Sequence, residues 1–345
     1  MLDDVKSKSV LLLFIVVLSI ATAAYLFSAR TGAKGKPAPL LRLVADVPLP
    51  GPAVRFDYQN YDSSEGKLYI AHMNADHLVV FDVHKREVLS NLEGFPNVHG
   101  VICVPEENRI YASVTGNHEV AVVDRSSLKT LARIGPIKYP DGLAYAPTVR
   151  RVFVSDEHGN VDAVIDALSN KLLASIELGG GAGNTVYDKV ADRIYVAVHG
   201  KNDLVTIDPS EAKILTRTPL PGIVNPHGIA LDDANRLAFV AGEGNAELAV
   251  VDLNSMQLLA TLPVGDDPDV LAFDPAAGRL YVAAESGTVA LFHEANRTLV
   301  RDGTLEVPHG HSVSVDPATH LVYFPLQNVQ GKPVLRIMEW APPQI

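Results

Sequence analysis

His99–Val114 reads HGVICVPEENRIYASV, and Asp141–Asp156 reads DGLAYAPTVRRVFVSD. The two align without a gap: a polar residue and Gly, a short apolar run, a polar turn, then Arg and a second alternating run. The same frame returns as HGIALDDANRLAFVAG from His227, DVLAFDPAAGRLYVAA from Asp269 and HSVSVDPATHLVYFPL from His311. NTVYDKVADRIYVAV from Asn184 and a weaker copy, FDYQNYDSSEGKLYIAH from Phe56, complete a series of seven, spaced by about 43 residues. Period-two alternation between polar turns is the mark of strands. Seven such units predict an all-β fold, a seven-bladed β-propeller of four-stranded antiparallel blades.

One unit shows how a blade is built. Val101–Val104 is the inner strand, followed by the turn Pro105–Asn108, a second strand Arg109–Val114, a turn at Thr115–His118 and a third strand Glu119–Val123. Asp124–Ser127 turns the chain into the outer strand, Leu128–Ile134. The Asp that ends the third strand recurs as Asp82, Asp124, Asp166, Asp208 and Asp252, where a carboxylate accepts backbone N–H groups of the turn. Five repetitions argue for scaffold. The last copy has Val334–Met338 and then only Glu339, Trp340 and a Pro-rich end, so it lacks an outer strand. Residues 40–48, LLRLVADVP, resemble the outer strands Leu172–Leu178 and Leu258–Pro263. They are expected to pair with the last blade and shut the ring, which removes an exposed edge.

Residues Val10–Phe27 form an uncharged apolar run, with Lys6 and Lys8 before it and Arg30, Lys34 and Lys36 after it. Residues 1–28 read as a transmembrane anchor, or as a signal segment cleaved near Ala21-Thr22-Ala23. Residues 29–39 read as a flexible tether and 40–345 as the propeller. Either reading places the domain on the periplasmic or extracellular side, anchored or secreted. The chain carries 40 acidic and 29 basic residues, a formal net charge of −11, without a Lys/Arg cluster in the repeats. No nucleic acid is expected as a partner; a small molecule or a cell-envelope component is. Cys103 is the single cysteine, so no intramolecular disulfide forms, and its strand position predicts a small buried residue.

Arg193-Ile194-Tyr195-Val196-Ala197, Arg279-Leu280-Tyr281-Val282-Ala283 and the Val-Val-Asp ends at Asp124 and Asp252 resemble the YVTN-type β-propeller repeat proteins of bacteria, over about residues 40–340. That resemblance implies the propeller fold and leaves activity open.

Function must lie where the blades differ. In such a ring, the loops leading into the inner strands and the loops joining second to third strands converge on one axial face. The lead-in positions are Asp57, His99, Asp141, Asn184 (one place late, behind Gly183), His227, Asp269 and His311. The second set is Met73, Thr115, Glu157, His199, Glu243, Glu285 and Gln327. Ten of these fourteen are His, Asp or Glu, against about one residue in six over the chain. His227, Glu243, Asp269, Glu285 and His311 are candidate ligands of a divalent metal, with Mg, Ca, Zn or Mn compatible with mixed nitrogen and oxygen donors. His99, Asp141, Glu157, Asn184 and His199 are candidate ligand-binding residues, and His311 or His227 a candidate proton carrier. The competing reading makes these side chains hydrogen-bonding partners of the rim backbone. The His and Glu set resembles that of streptogramin (virginiamycin B) lyases, which implies His227, Glu285 and His311 as a metal trio, with Asp269 where a further His is expected. Similarity to gluconolactonase-like propellers implies Glu157, Asn184 and Asp269 instead. Three functions follow as expectations: binding of a small ligand or metal, metal-dependent lyase or hydrolase chemistry, and a non-catalytic interaction platform.

Overall fold

The computed structural model describes residues 40–341. The segment 1–39, on which the anchor, signal and tether readings fall, and residues 342–345 lie outside the described residues. Among the described residues no helix is long and apolar enough to cross a membrane. They form seven four-stranded antiparallel sheets arranged as the blades of a propeller. In blades one to six the strands run in chain order from axis to rim; in the first they are Gln59–Asp62, Lys67–His72, His77–Asp82 and Glu87–Glu93.

The repeated aromatic in the second strand explains the stacking. Tyr69, Tyr111, Tyr195, Tyr281 and Tyr323, with Phe153 and Phe239 in blades three and five, are at most 2% exposed. The apolar clusters lie at the seams between neighbouring blades. One seam joins Tyr69 and Val80 of blade one to Val101, Ile110 and Val123 of blade two. Each fully buried aliphatic or aromatic side chain contributes about 1.5–3 kcal/mol. A blade therefore depends on both neighbours, and the ring needs its last seam. Phe56 and Val79 of blade one supply it together with Leu335 and Ile337 of blade seven.

Closure follows the expected route. Leu41–Pro48 pairs antiparallel with Lys332–Trp340, from Leu41 opposite Trp340 to Pro48 opposite Val334. Arg336 donates two hydrogen bonds to the Asp46 carboxylate, at 2.8 and 2.7 Å. The recurrent turn acids also act as scaffold: Asp124 Oδ1 accepts the N–H of Ser127 at 2.7 Å, and Asp82 Oδ1 those of His84 and Lys85 at 2.9 Å. Cys103 departs from expectation, being only partly buried. Its Sγ sits 3.5 Å from Asp62 Oδ2, and burial followed by that carboxylate pushes the thiol up to about 12. A thiol held so high is a poor nucleophile at neutral pH.

The feature that positions the site is a break in the inner ladder. In blades two to six the pairing of first and second strands is irregular at the lead-in, as between Val98 and Val101 or between Pro226 and Ile229. A bulge bends the strand and re-aims the side chains within it. His99, Asp141, His227 and Asp269 all fall inside these irregular stretches. In blade four the same register places Gly183 there, because a Cβ on that residue would stand 2.8 Å from His227 Cα.

Candidate functional site

Two cavities lie along the inner strands, and Tyr58 borders both. Its equivalents in blades two, three and five are Gly100, Gly142 and Gly228. From blade one its hydroxyl reaches His227 Nε2 of blade five at 3.0 Å. On one side of this phenol is a chamber of about 280 Å³ without an ionised side chain in its lining. On the other is a cup of about 210 Å³, with seven carboxylates among its twelve lining residues.

The cup collects most of the residues singled out in the sequence. Asp57, His99, Asp141, His227 and Asp269 line it and are nearly inaccessible, at 2–7% exposure. Glu157, Glu243 and Glu285 line it from the second-to-third-strand loops and are half-buried. His199 and His311 stand directly behind this lining, in contact with it through His227 and Asp57 respectively. Asn184 is not brought into the cup. It lines the neutral chamber instead, because Gly183 holds the lead-in position of its blade. His309, two places before His311, is exposed and lies 3.3 Å from Gln327 Nε2. Thr115 is occupied structurally, its hydroxyl donating to the Pro140 carbonyl.

The half of the cup on blades four and five gathers three residues that could hold a metal ion, His199, His227 and Glu243. His199 Nε2 and His227 Nδ1 are 3.1 Å apart, and Glu243 offers Oε1 at 3.2 Å from His227 Nδ1 and Oε2 at 3.9 Å from His199 Nε2. Two imidazole nitrogens bound tetrahedrally to zinc would stand about 3.4 Å apart. The far nitrogens face acceptors: His227 Nε2 has the Tyr58 oxygen at 3.0 Å and Asp141 and Asp269 at 3.5 Å. His199 Nδ1 has Glu157 Oε1 at 3.8 Å. Acceptors behind each ring favour the tautomers whose lone pairs meet at Glu243, the outer arrangement usual for metal-binding His. Burial and the neighbouring His227 lower His199 to about 4, which keeps it neutral at pH 7. Burial alone would lower His227, but Asp141, Glu243 and Asp269 carry it well above its ordinary value. A positive charge is thus favoured at that point, whether a proton or a metal ion supplies it.

The opposite half, on blades six, seven and one, is built differently. Asp57, Asp269 and His311 also gather, with His311 Nε2 at 3.7 Å from Asp57 and 3.9 Å from Asp269. Here, however, the protein provides its own cation. Arg55 pairs with Glu285 at 2.5 Å, and its charge also acts on Asp57 and Asp269. Glu285, one of the five metal ligands expected from sequence, is therefore engaged by a guanidinium. The expected five do not form one coordination sphere; His199 joins His227 and Glu243, while Asp269 stands between the two halves. Burial, and after it the charge of Asp57, raise Asp269 to about 6.

Arg55, Tyr58, Tyr139 and Asp267 also line the cup and were not among the sequence candidates. Three of them had a readable signal. Arg55, Tyr139 and Asp267 each stand two places before a lead-in residue, and alternation along a strand puts positions i and i−2 on the same side. Tyr139 donates to His99 Nε2 at 3.1 Å, since His99 Nδ1 already donates to the Asn97 carbonyl at 2.8 Å.

Fold and site thus define a seven-bladed propeller with an acidic, histidine-bearing axial cup. Among solved structures it is similar to a chain of Kuenenia stuttgartiensis hydrazine synthase, with a TM-score of 0.70 over 90% of this chain and 99% of that one. Sequence identity is 14%, so the likeness is one of fold. No protein-family model matches the chain, and no curated protein matches it in sequence.

Proposed function

We propose that this chain is an extracytoplasmic, membrane-tethered propeller of the YVTN type whose axial cup binds a divalent metal ion and, beside it, a small molecule. The uncharged run Val10–Phe27 supports the tether, and the Arg-Ile-Tyr-Val repeat supports the type. One observation carries the metal: two imidazoles 3.1 Å apart share a carboxylate, with acceptors behind both rings. Two nitrogens and a carboxylate suit Zn or Mn. His199, His227 and Glu243 hold the ion, and three protein ligands leave a coordination position facing the cavity.

That open position favours one second reading, a metal-dependent lyase or hydrolase, in which the ion polarises a carbonyl or lowers the pKa of bound water. His227 then serves as ligand and is not free to carry a proton. Asp269, at the border of the two halves, is the better placed acid or base. The streptogramin-lyase trio is served only in part, since Glu285 belongs to Arg55.

The test is elemental analysis of full-length protein purified from membranes, followed by calorimetric titration with zinc and manganese. One equivalent per chain is expected; no metal retained and no heat on titration overturns the reading. Protease treatment of intact and of permeabilised cells checks the location, with digestion expected only where the cytoplasmic membrane's outer face is reached.

A further inference from the structure

The cup holds more negative charge than its own cations and one metal ion can balance. Seven carboxylates line it, against the Arg55 guanidinium and the one positive charge favoured at His227. Arg55 is spoken for by Glu285 and a metal would take Glu243. Three of the remaining acids, Asp57, Asp141 and Asp269, sit on the lead-in ring at 2%, 3% and 6% exposure. Neighbouring His nitrogens approach them only to 3.5–3.9 Å, longer than an ordinary hydrogen bond, and the charges of His311, His99 and Arg55 favour an ionised Asp57. Burying a carboxylate without a close donor forfeits its hydration. Asp124, Asp188 and Asp46 in the scaffold, by contrast, each accept hydrogen bonds. Three such groups around one small cavity are an acceptor set that needs a donor from outside.

We infer that the small molecule taken up by the cup is itself a cation, a primary ammonium or guanidinium ion seated on Asp57, Asp141 and Asp269. The geometry suits a multi-donor nitrogen. Ligating oxygens of Asp57 and Asp269 lie within 4.8 Å of each other. An N⁺–H group bonds carboxylates at about 2.7–2.9 Å, so two N–H groups of one tetrahedral nitrogen bridge oxygens about 4.4–4.7 Å apart. Asp141 and Asp269 each stand 3.5 Å from the same His227 nitrogen, and the charges of all three acids act on the Tyr58 hydroxyl beside it. The cup's volume of about 210 Å³ corresponds to about seven waters, enough for a short amine and too little for a polymer. A carboxylate or phosphate ligand would meet these acids without a free cation to receive it. The inference rests on the cup being a binding site, though not on the metal being there.

Calorimetry of the full chain with propylammonium, guanidinium, propanol and propionate, each with and without zinc, tests it. Binding of the two cations is expected, with propanol and propionate at least tenfold weaker. Asp141→Asn and Asp269→Asn should each weaken propylammonium at least tenfold. The same variants should melt at a higher temperature than the parent, because each removes an unsatisfied charge; a role in holding the fold would lower it. Equal binding of propanol, preferred binding of propionate, or unchanged affinity in both variants overturns the inference. Uptake of a second zinc equivalent that depends on Asp57 and Asp269, without amine binding, overturns it as well. Amine binding without any zinc binding would leave it standing and remove the metal reading alone.

Discussion

The two cavities beside Tyr58 are made by the same seven inner strands, yet one is lined by seven carboxylates and the other by amides, hydroxyls and aliphatic side chains. The neutral chamber is what the repeat produces when nothing else is asked of it: Val101, Leu143, Leu271 and Val313 recur there at equivalent places. The cup is made where the repeat is broken, at the bulged lead-ins and in the loops between second and third strands. Residues at these places differ from blade to blade, whereas those at the seams are interchangeable. The fold therefore explains the chamber and does not explain the cup. On the proposed function, the cup's concentration of buried charge is accounted for by what it would bind.

The sharpest way to break this contrast is to remove the shared ligand. His227→Ala should abolish stoichiometric zinc binding, a loss beyond the 10- to 100-fold that follows from disturbing an outer partner, with little change in the far-ultraviolet circular dichroism. Retention of one zinc would show that the ion sits elsewhere. Next comes an acid away from the axis. Asp162, fully buried at the seam between blades three and four, stands where other blades have Leu78, Val120, Leu204 and Leu248. Burial pushes its carboxyl up to about 7, against smaller opposing pulls from Thr185 and Val154. The folded state thus keeps a proton that the unfolded chain releases near 3.8. Stability attributable to this group falls as pH rises between those values, and the deficit is complete above pH 7. At about 1.4 kcal/mol per unit it reaches about 4 kcal/mol. Asp162→Asn should recover up to that amount at pH 8 and almost nothing at pH 4, in denaturant titrations, while leaving zinc binding unchanged. A smaller effect is expected behind His199. Glu157→Gln keeps an acceptor but loses its charge, and should weaken zinc about tenfold. Smallest is Asn184→Ala in the neutral chamber, for which zinc and amine affinities should stay within about twofold; a larger change would mean that the chambers are coupled through Tyr58.

Much of this architecture was legible in the sequence for a physical reason. Seam residues obey a period of two within a period of about 43, so Tyr69, Tyr111 and Tyr195 announce their own environment. The missing outer strand of the last copy announced its partner at residues 41–48 in the same way. The site was legible only in outline. Asn184 was displaced from the cup by one residue, because steric approach to His227 demands Gly183 in the ring. Glu285 read as a metal ligand since its partner, Arg55, lies 230 positions away and comes near only when the circle closes. Tyr58 was overlooked because it takes the place of a glycine, and a glycine position is read as backbone. Pairing across the axis, as between Tyr58 and His227, leaves no trace in local spacing.

Crystals grown with zinc and measured above its absorption edge would test the central claim most directly. A single anomalous peak is expected about 2.1 Å from both His199 Nε2 and His227 Nδ1, with a Glu243 oxygen beside it. A peak placed among Asp57, Asp269 and His311 instead, or none within the cup, would contradict the account.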